Sequence, residues 1–530
     1  CTAVFVYADK YYWVNGSEYW SDTSHWATTS GGSSFHSAIP GPADTVYFDA
    51  LSFNANGKII TVDTSMASCA MMDWTGAAYN VEFNSATTDT LNVFGHIYLS
   101  DKVTFNFSGL LRIFGVSGAA TYFDTKDKLF KCDLEMAADT LLLQGVLQLP
   151  YNRLLHTDGV FNSNGHRVAC RHFNTDATRM ASVPVVAPKW FSADSLSVSG
   201  SFALPNAAFF AQTGPLFFQN STIDTNYINM YANEMVCDVY MTGSKKMYLL
   251  SQFKTAGMLE FKGGGKFYSQ NFPLYVGSMR NSTTLTKTVS LGTSLIQVSG
   301  TEDALYLIDT RLNLDASQAD FEFTYSGPDT VDIYLGKDSV FTLGQVELPV
   351  TYSRVYSSFA TGNLIINAGS TVLLAHGTEL TVDTINADGA CGQYIYLSSF
   401  CSECPTCGQV SNCPSDIPLI NAVDGPITVS YFKISNSELS GAIIHAINSF
   451  EFGGVSGWDV TEPTDVGDMY WIGGTGHWND ATHWSNTSGG ASGGCIPVRG
   501  NNVVFDELSF NSTDTVFVDE PAFCNQMSWA

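Results

Sequence analysis

The stretch GNLIINAGSTVLLAHGTELTVDTINA, residues 362–387, carries the reading of the fold. Leu364 and Ile366, Val372 and Leu374, and Leu380 and Val382 are apolar pairs spaced two apart, and the pairs recur every eight residues. A spacing of two is the period of a strand, so each pair marks a short strand with one inward face. Polar corners separate the pairs: Asn367-Ala368-Gly369 follows the first and His376-Gly377 the second. Strands this short, turning the same way at a fixed interval, wind into a coil. Three such faces make a coil of roughly 24 residues, the size of one turn of a parallel β-helix. A β-sandwich, the competing architecture, uses longer strands joined by hairpin turns of the Asn-Gly kind. The expectation is an all-β chain built around a right-handed parallel β-helix, or β-solenoid, over 77–460.

The same texture extends on both sides. Runs such as LNVFGHIYLS (91–100), KVTFNFS (102–108), TLLLQGVLQL (140–149), SLSVSGSFAL (195–204) and VDIYLG (331–336) are rich in β-formers and flanked by Gly, Asn, Asp or Ser. No stretch of a dozen residues carries a helical apolar period.

Eight of the ten tryptophans belong to two copies of one module. The first copy reads YYWVNGSEYWSDTSHWATTSGG (11–32), VYFDALSFN (46–54) and VDTSMASCAMMDW (62–74). The second reads MYWIGGTGHWNDATHWSNTSGG (469–490), VVFDELSFN (503–511) and VDEPAFCNQMSW (518–529). Trp13, Trp20, Trp26 and Trp74 correspond to Trp471, Trp478, Trp484 and Trp529, as do Asp49 to Asp506 and Cys69 to Cys524. Trp13 and Trp471 are 458 positions apart, and Trp74 and Trp529 are 455 apart. The expected organisation is a Trp-rich cap at 1–76, a β-helix at 77–460, and a second cap at 461–530 that starts the next repeat of a tandem array. An open coil end exposes strand edges and apolar core, and stacked tryptophans cover both.

Charge narrows the function classes. The 50 Asp and Glu against 24 Lys and Arg give a net charge of −26, which repels phosphate backbones and anionic membranes. Nucleic-acid partners are therefore excluded. No run reaches the eighteen apolar residues of a membrane span. No signal peptide is visible, which for such a chain means one removed or lying outside this segment.

Twelve cysteines with few lysines favour an oxidising, extracellular setting. Disulfide candidates are Cys69, Cys132, Cys170, Cys391, Cys401, Cys404, Cys407, Cys413, Cys495 and Cys524. The insert CSECPTCGQVSNC (401–413) places four of them close together. The spacing also invites a zinc or iron–sulfur reading, but no strand-turn scaffold separates two knuckles, so disulfides stapling a loop at 391–413 to the last coils are favoured. Glycosylation sequons stand at Asn15, Asn106, Asn220, Asn281, Asn486 and Asn511.

Few groups suggest chemistry. Asp22, His25 and Trp26, repeated as Asp480, His483 and Trp484, invite a sugar platform or a cation site, with calcium near Asp22 and Asp49 as the metal reading. Core capping is the favoured role for this element, and no cofactor is otherwise called for. GGGKF (263–267) lacks the Gly-Lys-Ser/Thr ending of a phosphate loop, and no Gly-x-Ser-x-Gly elbow occurs. No carboxylate pair is singled out by spacing, so no catalytic residue is assigned.

The opening module resembles the Trp-rich cap of β-helical surface and adhesin repeat proteins of Bacteroidota-like and other environmental bacteria. GMLEFKGGGKFYSQNFPL (257–274) resembles their Gly-Gly-Gly turn between coils. AGSTVLLAHGTELTVDTINADG (368–389) and PITVSYFKISNSELSGAIIHAINSFEFGGVSGW (426–458) resemble their closing coils. The cysteine count and the 401–413 insert depart from that pattern. The resemblance implies a structural or adhesive repeat unit of an extracellular, cell-surface filament, partnered head to tail by neighbouring repeats and, secondarily, by surface glycans. A carbohydrate-active β-helix enzyme or tailspike-like glycan-binding protein is the alternative.

Overall fold

The computed structural model describes residues 8–175, 190–204, 212–219, 224–308, 311–336, 340–401, 416–463, 467–493, 495–511, 513–518 and 522–530. Among these the chain is all-β, with helix limited to short 3-10 turns such as Thr23–His25 and Ala481–His483. Two compact units are formed: Cys1–Val276 with Leu285–Ser290, and Gly277–Thr284 with Leu291–Ala530.

In the first unit the chain winds through parallel ladders. One runs from Lys10–Trp13 through Thr45–Tyr47, Met71–Asp73, Ile97–Tyr98, Ala120–Asp124, Thr140–Leu143 and Val160–Asn162 to Trp190–Ser192. A second joins Glu18–Tyr19, Lys58–Val62, Val81–Ser85 and Val103–Asn106. A third starts with Met66–Cys69, Thr90–Val93, Leu110–Ile113, Asp133–Met136 and Leu147–His156. Val46 lies against Met72, 26 positions on, whereas Thr140 lies against Val160, 20 positions on. Each coil therefore takes about one strand per ladder, as a parallel β-helix requires. The expected division at 76/77 is no break in hydrogen bonding. Met71–Asp73 passes its ladder directly to Ile97–Tyr98, so the first Trp module is the opening of the helix.

Corners constrain particular residues. Gly159 has φ +67, and a Cβ there would stand 1.9 Å from the Ala138 carbonyl oxygen on the preceding coil. Only glycine combines that dihedral with that approach.

In the second unit the 362–387 stretch forms the inward faces read from its spacing. Leu364, Ile366, Val372, Leu374, Leu380 and Val382 are all buried. Phe359 lies against Leu380 and Leu364 against Ile385, both 21 positions on, and Val372 lies against Leu397, 25 on. One detail differs from the expectation of separate strands. Phe359–Ile365 is a single strand whose buried positions change phase between Thr361 and Leu364, so it carries two faces. Gly362 sits at that change, where a Cβ would come within 2.9 Å of the Gly344 carbonyl oxygen on the coil before. Eight residues count faces, and two faces share one continuous backbone. Each fully buried aliphatic side chain contributes about 1.5–3 kcal/mol, so the stack is held by many equal increments.

The closing coils use Leu419–Ala422, Phe432–Ile434, Ser437–Gly441 and Phe450–Glu451, flanked by a three-stranded sheet of Ile427–Ser430, Ile444–Ile447 and Asp459–Thr461. Among the described residues the second Trp module builds separate sheets. Asp468–Trp471, Trp484–Ser485, Asn502–Phe505 and Gln526–Trp529 form one, Gly476–His477 and Val516–Phe517 another. The module packs along the side of the closing coils. Phe523 rests on Phe450 and Phe452 at 6.3 and 6.0 Å, and a disulfide joins Cys391 to Cys495. Together with Tyr394 and Lys433 these contacts span three successive coils, which only a lateral position allows.

Four of the ten disulfide candidates, Cys69, Cys132, Cys170 and Cys524, are corrected. Cys69, Cys132, Cys170 and Cys237 are buried free thiols, and Cys524 is a free, half-buried one. Cys132 and Cys170 point into the packed interior, where apolar neighbours take the place of a partner sulfur. Of the 391–413 group, Cys391 pairs with Cys495 of the second module. Cys401 is also disulfide-bonded. Cys404, Cys407, Cys413 and the Asn220 sequon lie outside the described residues.

Candidate functional site

The Trp modules are the feature built twice, and they agree down to single hydrogen bonds. In the first, Lys10–Trp13 runs antiparallel to Trp26–Ala27, which sets Trp13 opposite Trp26. Their rings meet edge to face at 4.9 Å, and Trp20 meets Trp26 likewise at 4.8 Å. Trp13 Nε1 donates to the Gly16 carbonyl at 2.7 Å, and Trp26 Nε1 to the Trp20 carbonyl at 2.9 Å. In the second, Trp471 meets Trp484 at 5.0 Å and Trp478 meets Trp484 at 4.9 Å. Trp471 Nε1 donates to Gly474 and Trp484 Nε1 to Trp478, both at 2.7 Å. Edge-to-face pairs add about 0.5–1.5 kcal/mol each beyond area burial, so three indoles in this triad fix the start of a coil.

The turn between the tryptophans is equally duplicated. Asp22 caps Thr23–His25 by accepting from the Ser24 N–H at 2.9 Å, and Asp480 does the same for Thr482 at 2.9 Å. The Ser24 and Thr482 hydroxyls, and after them these backbone N–H groups, hold both carboxyls below the usual carboxylate range. His25 Nδ1 lies 2.6 Å from the Val14 carbonyl and its ring stacks on Trp13; His483 Nδ1 lies 2.8 Å from the Ile472 carbonyl and its ring stacks on Trp471.

The copies part at their far face. Trp74 stacks on Phe48 at 3.7 Å and meets Phe83 of the next coil at 5.7 Å; it is 0% exposed. Its counterpart Trp529 stacks on Phe505 at 4.3 Å but is 69% exposed. Met72 and Val62 are 0% exposed, whereas Met527 and Val518 are 50% and 61% exposed. Trp478, Phe505, Phe510, Val516, Val518, Met527 and Trp529 line an open hollow of about 470 Å³. Of the eight tryptophans expected at caps and interfaces, Trp13, Trp20, Trp26, Trp74, Trp471, Trp478 and Trp484 are core, and Trp529 is surface.

Asp22 and Asp49, the two calcium candidates, each sit in a turn of their own. Asp49 is engaged in its own turn, accepting from the Leu51 N–H at 2.9 Å and approached by Ser52 Oγ. Asp22 is grouped instead with Glu18 and His25, their ligand atoms within 4.8 Å of one another. Glu18 carried no sequence signal, because its counterpart in the second module is Gly476. Among the sequons, Asn15, Asn486 and Asn511 are exposed and Asn106 is half-buried. Asn281 is 1% exposed, packed within the coil, and has no room for a glycan. No family model matches this chain, and neither does any curated protein or solved structure.

Proposed function

We propose that the chain is a structural and adhesive repeat unit of an extracellular, cell-surface array in which successive β-helices join head to tail through the second Trp module. One observation carries this reading: Trp74 and Trp529 hold the same place in two copies of one module, and only the first is covered by a following coil. The occupant that suits the open face around Trp529 is a β-coil with the apolar pattern of 77–113. An exposed strand edge beside an apolar hollow favours just such an addition. Because the module lies beside the closing coils, the following helix starts offset from the one before. The contact is heterologous and need not close, so it propagates. The resemblance to Trp-capped β-helical surface proteins supports the same role.

The Cys391–Cys495 disulfide and the exposed sequons support an oxidising, extracellular location. A net charge of −26 favours dispersion of the array. On this reading the chain is not an enzyme; its partners are neighbouring repeats and, secondarily, surface glycans.

Sedimentation velocity and electron microscopy of the purified chain test the proposal. The expected result is concentration-dependent linear association that Trp529→Asp abolishes while the chain stays folded. A chain that remains monomeric at every concentration, or associates equally well with Trp529→Asp, overturns it.

A further inference from the structure

We infer that Glu18, Asp22 and His25 form a binding site for a divalent transition-metal ion, zinc by its chemistry, in the first Trp module. The inference stands apart from the array reading. His25 is only 8% exposed, and Nδ1 is its one hydrogen-bonding atom. The Val14 carbonyl can only accept, so Nδ1 donates there, which leaves Nε2 as the ring atom able to take a ligand. An imidazole that donates one ring N–H to a backbone carbonyl is oriented for its other nitrogen to take a metal. Stacking on Trp13 at 5.0 Å holds the ring in that plane.

In the second module His483 Nε2 fills the space that a Cβ on Gly476 would need, only 2.2 Å from that position, and lies 4.0 Å from Asp480 Oδ2. Gly476 and Asp480 are the counterparts of Glu18 and Asp22, so the Cβ of Glu18 gives His25 a seat of its own. In the first module the ligand atoms of Glu18, Asp22 and His25 lie within 4.8 Å of one another. Tetrahedral zinc with bonds near 2.1 Å separates its ligands by about 3.4 Å, which inward movement of the two partly exposed carboxylates provides. One imidazole and two carboxylates leave a fourth position for water. Calcium prefers six to eight oxygens and gains little from a buried imidazole, so the donor set selects against the calcium reading of Asp22. The second module, with Gly476 in place of Glu18, lacks the third ligand.

Equilibrium dialysis of the full chain against zinc, with metal counted by mass spectrometry, tests the site, and cobalt substitution supplies a spectrum. The expected result is one tightly held zinc per chain and intense visible bands from tetrahedral cobalt. Glu18→Gln removes a ligand at a partly exposed position, and Asp22→Asn keeps a good helix cap. Each should weaken zinc binding about tenfold or more and diminish the cobalt bands, with the thermal midpoint of the metal-free chain unchanged. Calcium at millimolar concentration should not compete. Absence of zinc binding, or binding that both variants leave intact, overturns the inference.

Discussion

Val372 and Leu374 share one inward face and are 1% and 0% exposed. Leu374→Ala should cost about 2–5 kcal/mol, and Val372→Asp several kcal/mol because a charge without a partner enters the core; urea titration reads both. A substitution tolerated within a few tenths of a kcal/mol would mean the face is not packed as described. The buried thiols give a pH test. Burial pushes Cys132 and Cys237 up to about 12, and Cys69 and Cys170 higher still. An unfolded thiol loses its proton near pH 8.5, so above that value the folded chain binds more protons than the unfolded one. Stability therefore falls as pH rises through this window, by about 1.4 kcal/mol per pH unit for each thiol. Replacing these cysteines by alanine should flatten the dependence of the urea midpoint between pH 8.5 and 10. Iodoacetamide should label them only after unfolding.

At the scale of elements, the corner at Gly159 and the link from Cys391 to Cys495 are the informative features. Gly159→Ala places a methyl group against the Ala138 carbonyl in a left-handed backbone position, and a loss of about 1–3 kcal/mol is expected in urea titration. The Cys391–Cys495 bond spans 104 positions. A closed loop of about 100 residues contributes about 4.7 kcal/mol in the chain-entropy model. Peptide mapping without reductant should recover the two cysteines on one crosslinked fragment. Cys391→Ser should let limited proteolysis release the second module earlier than in the parent chain. Noncovalent contacts, among them those of Phe523 with Phe450 and Phe452, would then hold the lateral seat that the disulfide normally keeps closed.

For the whole molecule, tryptophan accessibility gives a direct reading. Trp529 is 69% exposed and Trp190 45%, while seven module tryptophans are buried. Acrylamide should quench a small, red-shifted fraction of the emission, and Trp529→Phe should remove most of that fraction. If copies associate through the open face, the accessible fraction should shrink as concentration rises. A quenching profile independent of concentration would count against that face as a joint.

The alternation and eight-residue spacing of 362–387, and the recurrence of Trp13, Trp20 and Trp26 as Trp471, Trp478 and Trp484, were enough to specify inward faces, a coil and a duplicated opening module. These are local properties: side-chain alternation and turn chemistry follow from neighbouring residues, so a linear pattern reports them. Long-range geometry decided the rest. That Cys391 meets Cys495 while Cys132 and Cys170 stay reduced depends on which coils face which side, and thiol spacing does not encode it. Glu18 joins Asp22 and His25 only because a strand and a capped turn converge, and the second copy, with Gly476 in that place, hides the pattern. The second module's lateral seat arises from contacts of Phe523 with Phe450 and Phe452 and of Cys495 with Cys391, on different coils. Matching opening modules therefore have different surroundings, because burial belongs to what packs against a residue and only the tertiary structure supplies that neighbour.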